Sequence, residues 1–380
     1  MGRDHSPELE IKVRPRRSEY ESARPPSGSR HSQKPQQLFR QWDPWLVPTF
    51  TVVNIVLFIV TIYINDCPHH SGSCFGEEFL GRMSFQPLKE NPLLGPSATT
   101  LQLMGALDVK KVIDDKQAWR LFTCMWLHAG VLHIVTNMFS LLFVGIRLEK
   151  EFGFGRIGIL YIVSGMGGSL LSALLVRATI SVGASGALFG LLGAMLSELI
   201  TNWTIYANKL AALFSLILII AINLAVGILP HVDNSAHVGG LVTGFFVGFV
   251  FFIRPQFGWV NQKSGPRNNI GSSIKSKYKT YQVVLLVLSL ILLITGFAGG
   301  LVSLLRGVDG NDYCSWCHYL SCIPTSKWKC HSQKVYCESN LIGKDLSLTC
   351  LSNGKKKSYT LTDSSHTSEM EQFCSELCSS

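Results

Sequence analysis

Charged residues are scarce in this sequence, and several long stretches contain none. Asp, Glu, Lys and Arg make up 16% of the 380 residues and lie mostly in the two ends and a few loops. No apolar run lies close to Met1, where a cleavable signal peptide would place one. Aromatic residues are not interleaved with the basic ones, so the formal net charge of +9 does not indicate nucleic-acid binding.

Apolar residues are instead gathered into seven segments long enough to cross a bilayer, which takes about 20 helical residues. Several segments contain Gly, Ser, Thr or Asn, as is normal where membrane helices pack closely. Their cores are residues 47–64, 126–146, 157–176, 184–200, 210–229, 236–253 and 283–305. The sequence therefore predicts an all-α membrane protein embedded in a lipid bilayer.

The same pattern divides the chain into five regions. The first is rich in Arg, Pro, Ser and Gln, and we expect it to be disordered. The regions are a basic tail at 1–44, a six-helix core at 45–253, a basic linker at 254–282, a seventh transmembrane helix at 283–305 and a cysteine-rich tail at 306–380.

Two basic segments orient the predicted helices. Residues 1–44 hold nine Lys and Arg, and residues 261–281 hold five with no acidic residue. Basic loops stay in the cytosol, and six helices separate these two segments, so both are expected to be cytosolic. The seventh helix then places the C-terminal tail in the lumen or outside the cell.

Cysteine usage leads to the same topology. Eight of the eleven cysteines follow the last apolar segment: Cys314, Cys317, Cys322, Cys330, Cys337, Cys350, Cys374 and Cys378. Such a set predicts a disulfide framework in an oxidising compartment, with the pairing left open. Cys67 and Cys74 are expected on the same side and can form another bridge. Cys314, Cys317 and His318 match a haem-attachment pattern, but the surrounding cysteines favour disulfides over haem or zinc.

Three polar residues share one predicted depth on three helices. His133, Ser185 and His237 lie near the outer ends of the second, fourth and sixth segments. A serine hydroxyl needs an adjacent base to act as a nucleophile, and histidine suits that role near neutral pH. His133 and Asn137 are four residues apart on one helix face and can both donate to an oxyanion. We therefore interpret Ser185 as a nucleophile and His237 as its general base.

Two further features bear on this site. Gly240, Gly244 and Gly248 lie on one helix face, which indicates close packing of the sixth helix against another helix, the fourth being expected. Asp233 lies four residues before His237. It can be a third catalytic residue, but capping of the sixth helix with Asn234 and Ser235 is the favoured interpretation.

The motifs Trp119-Arg120, His133-x-x-x-Asn137, Gly183-Ala184-Ser185-Gly186 and Ala236-His237-x-x-Gly240 resemble, in this order, the rhomboid intramembrane serine proteases. The resemblance covers about residues 47–253. The presence of a seventh helix after the core resembles the secretory-pathway class of the family. The stretch that begins at Gly183 is similar to plant rhomboid-like proteins. The implied fold is a rhomboid-like six-helix transmembrane core plus a seventh C-terminal transmembrane helix.

The resemblance also implies roles for individual residues. It implies a Ser185–His237 dyad without an aspartate, and oxyanion stabilisation by His133, Asn137 and the Ser185 backbone N–H. Phe189 stands where many members have a tyrosine stacked on the histidine. Trp119, Arg120 and Glu149 are implied to have structural roles. Gly183 and Gly186, which flank the Ser185 position, are expected from their small size to leave space for a substrate backbone.

The expected activity is cleavage of single-pass transmembrane proteins near the lumenal or extracellular side, with no cofactor and no metal. Two alternatives remain: an inactive rhomboid-like protein that binds and sorts membrane clients, and a transporter or channel. The expected location is a secretory-pathway membrane, either the Golgi or the plasma membrane. The sequence indicates neither the substrate, nor the oligomeric state, nor the role of the tail.

Overall fold

The computed structural model describes most of the chain from residue 41 onward. The described residues are 41–70, 73–177, 179–203, 206, 208–227, 232–254, 256–258, 275–314, 316–320, 337–342, 345–350, 355–360, 373–374 and 377. The predicted disorder of residues 1–40 lies outside this range. Contacts divide the chain into two compact units, residues 1–321 and 322–380.

Seven apolar helices build the first unit, as the sequence predicts. They are α1 Leu46–Asn65, α2 Val131–Phe152, α3 Phe154–Leu175, α4 Ser185–Thr201, α5 Lys209–Val226, α6 Asn234–Phe251 and α7 Thr280–Leu305. Among the described residues, six helices are long and apolar enough to cross a membrane, and α4 is shorter at 17 residues. The predicted all-α membrane class is confirmed.

The largest boundary error of the sequence analysis concerns α2. Its predicted core, 126–146, begins five residues too early, because residues 124–126 form a separate 3₁₀ turn. The first N–H groups of α2 bond to a loop instead: the Val131 N–H donates to the Leu94 carbonyl at 2.9 Å. At its other end α2 continues through a π-helical turn, Leu141–Gly145, to Phe152.

Glu149 joins the end of α2 to the beginning of α1. Its fully buried carboxylate accepts hydrogen bonds from the backbone N–H groups of Trp45, Leu46 and Val47 at 2.8–2.9 Å. These are N–H groups that a helix start leaves without intrahelical partners. The negative charge also complements the positive end of the helix dipole. The structural role expected for Glu149 is therefore helix capping across the bundle.

The connection from α1 to α2 is a compact loop with several short helices that the sequence analysis did not predict. They are Cys67–His70, Glu77–Leu80, Gly81–Met83, Ala98–Met104, Val109–Ile113, Arg120–Thr123 and Cys124–Trp126. A disulfide joins Cys67 to Cys74, which confirms the predicted bridge.

Helix α4 lies at the centre of the bundle, with α3 and α6 packed on it through glycines. A Cβ atom at Gly240 would lie 1.9 Å from the Gly186 carbonyl oxygen. At Gly244 it would lie 2.1 Å from the Gly190 oxygen, and at Gly248 2.0 Å from Ser197 Oγ. Only glycine permits so close an approach of two backbones. The packing role predicted for the three glycines is confirmed.

Two small antiparallel sheets, which the sequence analysis did not predict, lie outside the helices. Strands β1 Gln256–Gly258 and β2 Lys275–Lys277 pair in the linker between α6 and α7. The second unit contains β3 Cys337–Ile342, β4 Asp345–Cys350 and β5 Lys356–Thr360, in the order β3-β4-β5. Leu346, Leu348, Cys350, Cys374 and Leu377 form its buried core.

The described cysteines of the tail agree with the predicted disulfide framework. Cys314 and Cys317 form a disulfide with each other, which rules out haem attachment through this pair in this state. Cys350 and Cys374 each form a disulfide as well, with partners outside the described residues. In the part of the chain that the structure describes, only Cys124 is a free cysteine, and it is buried.

Candidate active site

Ser185 is the first residue of α4 and follows a loop fixed by backbone hydrogen bonds. The Gly183 N–H donates to the Cys124 carbonyl at 3.0 Å, and Ser181 pairs with Leu107 as an isolated β-bridge. Gly183 has φ +119°, a conformation that glycine adopts readily and other residues rarely do. This turn places the partly buried Ser185 at the start of the central helix.

His133 and Asn137 lie beside this turn. A Cβ atom at Gly183 would lie 2.7 Å from His133 Cε1, 3.0 Å from His133 Nε2 and 3.8 Å from Asn137 Nδ2. The Ala129 N–H donates to His133 Nδ1 at 3.4 Å, so a neutral His133 carries its proton on Nε2. The buried Nδ2 of Asn137 has no hydrogen-bond partner among the described residues. Two donors are therefore available next to Gly183.

His237 lies one turn inside α6, and it is 6% exposed. Its ring stacks on Phe189 with centroids 4.4 Å apart and planes 17° apart. Phe189 is four residues after Ser185 and therefore on the same face of α4. The backbones also meet here, because a Cβ atom at Gly186 would lie 3.2 Å from the Ala236 carbonyl oxygen. The structure thus brings the Ser185 end of α4 against the His237 end of α6.

The Ser185 hydroxyl makes no hydrogen bond to His237 or to any other described residue. His237 Nε2 likewise has no partner in the described part of the chain, and Nδ1 lies 3.2 Å from Asn234 Oδ1. Catalytic hydrogen bonds are often long in a free enzyme and tighten when substrate binds. The missing hydrogen bond therefore does not exclude Ser185 and His237 as a nucleophile and its base.

Asp233 is engaged away from His237. Its carboxylate accepts hydrogen bonds from the hydroxyls of Ser172 and Ser181, the latter at 2.6 Å. It also accepts from the Ala236 N–H at 3.1 Å, which caps α6. Asn234 and Ser235, expected to share in capping, are instead the first helical residues of α6. The geometry therefore favours the capping interpretation of Asp233 over a catalytic one.

Trp119 and Arg120 organise the loop in front of the site. The Arg120 guanidinium donates from Nη1 to the carbonyls of Gln102 and Ala106 at 2.7 Å, and it lies 4.8 Å from the centre of a Trp119 ring. The pKa of Arg120 is lowered overall, because burial disfavours the charged guanidinium more strongly than the carboxylates of Asp108 and Asp115 favour it. Both residues support the loop, and neither side chain makes a hydrogen bond to Ser185 or His237.

The sequence predicts no role at the site for Asn234 or His128. Asn234 was considered only as a helix cap, but its side chain contacts His237. His128 is 1% exposed and packs edge-on against His133 with ring centroids 5.4 Å apart. Its only sequence signal is a histidine five residues before His133. No group of three or more His, Cys, Asp or Glu able to hold a metal occurs in the described ranges.

Comparison with known proteins identifies the family. A family model described as a Rhomboid domain matches residues 115–254. RHOMBOID-like protein 1 of Arabidopsis thaliana is 59% identical over 340 residues, which cover 90% of this chain and 87% of that protein. RHOMBOID-like protein 4 of the same plant is 56% identical, covering 90% and 84%. The chain belongs to the rhomboid family.

A further relative carries a different name. Inactive RHOMBOID-like protein 8 of Arabidopsis thaliana is 41% identical over 299 residues, covering 78% of this chain and 85% of that protein. Membership of the rhomboid family therefore does not decide whether this rhomboid is active. Whether this chain is an active protease has to be judged from its site residues.

Phe189 stands where a tyrosine was expected from the resemblance, and this difference changes the geometry of the site little. The ring still stacks on His237 as a tyrosine ring would, and only the hydroxyl is missing. In this rhomboid the Phe189 ring is 6% exposed and so contributes to holding the imidazole by packing alone.

Proposed function

We propose that this protein is an intramembrane serine protease with Ser185 as nucleophile and His237 as general base. One observation carries the proposal. The helix that begins with Ser185 packs directly on the helix that contains His237, and Phe189 holds the imidazole from the same helix face as Ser185. A serine, a base and free donors next to one turn are the parts that acyl transfer requires.

The proposed reaction uses each of these groups once. His237 Nε2 takes the proton of Ser185 while the hydroxyl oxygen attacks the scissile carbonyl. The resulting oxyanion accepts hydrogen bonds from the Ser185 N–H, His133 Nε2 and Asn137 Nδ2. Collapse of this intermediate expels the amine, which receives the proton from His237, and water then hydrolyses the acyl-enzyme.

The proposed substrates are single-pass membrane proteins cut near the lumenal or extracellular side. A transmembrane helix hides its peptide bonds in i→i−4 hydrogen bonds, so it must unwind locally before attack. Gly or Pro near the cut should therefore help. The 17-residue α4 is about 26 Å long at 1.5 Å per residue, less than the roughly 30 Å hydrocarbon layer. The Ser185 end of α4 can therefore lie below the membrane surface. Residues 181–184, which precede it, then lie between Ser185 and that surface.

Purified wild-type protein reconstituted in vesicles tests this function. It should cleave tagged single-pass proteins whose helices carry Gly or Pro in the outer half. It should also react covalently at Ser185 with a small fluorophosphonate, which requires an activated serine, and peptide mass spectrometry locates the adduct. A wild-type protein that shows neither cleavage nor labelling would overturn the proposal.

Replacing Asn137 with alanine should lower kcat by about 10²–10³-fold while leaving KM nearly unchanged, because its donor acts on the oxyanion and not on the substrate. Kinetics in reconstituted vesicles measure this split. Thr136→Ala is the matched control, since Thr136 is exposed on the same helix and its hydroxyl donates only to the backbone carbonyls of Leu132 and His133 in the preceding turn. Equal kcat values for the two variants would exclude the oxyanion role of Asn137.

The second candidate is an inactive rhomboid-like protein that binds membrane clients, and the relative named inactive favours it. The presence of both Ser185 and His237 in contacting helices favours the protease. The fluorophosphonate assay separates the two functions, because a client-binding protein without an activated serine will not be labelled.

We further propose that residues 1–44 and the β1–β2 linker are cytosolic, and that the cysteine-rich tail is lumenal or extracellular. The disulfides Cys67–Cys74 and Cys314–Cys317 follow the ends of α1 and α7, and both require an oxidising compartment. This supports a secretory-pathway location, Golgi or plasma membrane. Accessibility of tags on either tail in sealed vesicles tests the orientation.

A further inference from the structure

Asn234 makes three hydrogen-bond contacts that together connect His237 to the chain beyond α7. Its Nδ2 donates to the Leu320 carbonyl at 2.8 Å and lies 3.3 Å from the Leu224 carbonyl at the end of α5. Its Oδ1 lies 3.2 Å from His237 Nδ1. The side chain is 5% exposed, so these contacts are made inside the protein.

The two carbonyls decide how the amide is turned. A carbonyl oxygen only accepts hydrogen bonds, so the group facing Leu224 and Leu320 must be the NH₂ of Asn234. The amide oxygen then faces His237, and it can only accept. Neutral His237 therefore carries its proton on Nδ1, which leaves the lone pair of Nε2 for the Ser185 proton. This is the tautomer that a general base requires.

The end of α5 closes this arrangement on another side. A Cβ atom at Gly227 would lie 2.3 Å from Asn234 Oδ1 and 3.0 Å from His237 Nδ1. The backbone of Gly227 therefore lies directly against both polar atoms and leaves the amide little room to rotate.

Leu320 belongs to a segment that is itself anchored. We define the C-terminal strap as the described residues 309–314 and 316–320. Its Asn311 Nδ2 donates to the Leu175 carbonyl at the end of α3 at 2.8 Å, and Asp309 lies 3.5 Å from Arg177. The Cys314–Cys317 disulfide closes a short loop within the strap, and Cys317 is the first residue of the 3₁₀ turn Cys317–Leu320.

We propose that Asn234 is a positioning residue that holds His237 in the orientation and tautomer for general-base catalysis, and that the disulfide-closed C-terminal strap holds Asn234 through Leu320. The proposal rests on the protease function proposed above. It gives the segment after α7 a role in the chemistry, although none of its described residues contacts Ser185.

The test compares Asn234→Ala, Asn234→Asp and wild type in full-length protein in vesicles. The readouts are the rate of fluorophosphonate labelling at Ser185, the kcat and KM of cleavage, and the Tm. Asn234→Ala should lower labelling and kcat by about 10²-fold with little change in KM, as expected for a misplaced catalytic group. Asn234→Asp keeps an oxygen towards His237 but replaces the NH₂ that donates to the Leu224 and Leu320 carbonyls with a second oxygen. It should therefore recover only part of the labelling rate while its Tm falls at least as far as that of Asn234→Ala, a split that a merely structural role would not produce.

Three further variants complete the design. Asn223→Ala is the matched control, because Asn223 is exposed on α5 and its amide donates only to Ile219 of the same helix. The double change Cys314→Ser, Cys317→Ser opens the strap and should lower labelling by about tenfold, the smaller loss expected for an outer support. The change Cys67→Ser, Cys74→Ser removes the bridge in the loop between α1 and α2 without touching the strap.

The outcomes separate this proposal from the protease function. A wild-type protein that neither cleaves nor reacts with the probe overturns both. If the wild type is active and Asn234→Ala labels at the wild-type rate, only the positioning role is overturned. If loss of labelling follows the lower Tm in every variant, Asn234→Asp included, the residue acts on stability alone. Equal effects of the two cysteine pairs overturn the role of the strap.

Discussion

Replacing Ser185 with alanine is expected to lower the cleavage rate on the order of 10⁶-fold, because the nucleophile of a serine protease has no substitute. His237→Ala should have a similar effect, since a serine hydroxyl without its base is a weak nucleophile. Co-expression with a tagged single-pass substrate, followed by quantification of the released fragment, measures both.

A double variant sharpens this prediction. Ser185 and His237 act as one catalytic unit, so the loss of either residue removes the function of both. The double variant Ser185→Ala, His237→Ala should therefore cleave no more slowly than Ser185→Ala alone. Ser140→Ala is the control, because the Ser140 hydroxyl bonds only to the Thr136 carbonyl of its own helix. Persistent cleavage by Ser185→Ala, at the same site as the wild type, would sink the mechanism.

Gly244→Val is expected to prevent folding of the core. A Cβ atom there would lie 2.1 Å from the Gly190 carbonyl oxygen and 2.4 Å from the Gly190 Cα. Both atoms belong to the backbone and cannot rotate away, so α4 and α6 would have to separate. The cost should exceed the roughly 1–3 kcal/mol typical of overpacking by flexible side chains. The thermal unfolding of purified protein in detergent measures it.

Gly296→Val is the matched control for this prediction. Gly296 lies in α7, another apolar helix, and a Cβ atom there would meet no atom within 4 Å. The same chemical change should therefore leave the Tm nearly unaltered. If both variants unfold at the wild-type temperature, the glycine contact between α4 and α6 is not what holds the core together.

The fold was more predictable from the sequence than its boundaries were. Long apolar runs report helices that must bury their backbone polar groups, so the seven helices were readable. The start of α2 was not, because the carbonyls of Leu93 and Leu94 accept its first N–H groups, and these residues lie far away in the loop. Glu149 was readable as structural by resemblance, but its partners at the start of α1 lie about 100 residues away.

The features of the candidate site also divide into those that the sequence predicts and those that only the structure reveals. Ser185, His237, His133 and Asn137 were found in the sequence because each belongs to a short motif whose residue types carry chemistry. The tautomers of the two histidines were not, because each depends on a backbone group: the Ala129 N–H at His133, and the Leu224 and Leu320 carbonyls that orient Asn234. Backbone groups are the same at every residue and leave no signal in a sequence.

The sequence by itself determined that this chain is an all-α membrane protein and which glycines form a close contact, and it predicted the residues of the proposed acyl transfer. Tertiary structure alone decided what those residues face. It turned Asp233 towards Ser172 and Ser181 rather than His237, and it brought Leu320 to Asn234 across 86 residues of chain. Hydrogen bonds act over about 3 Å in space, and separation along the chain does not predict that distance.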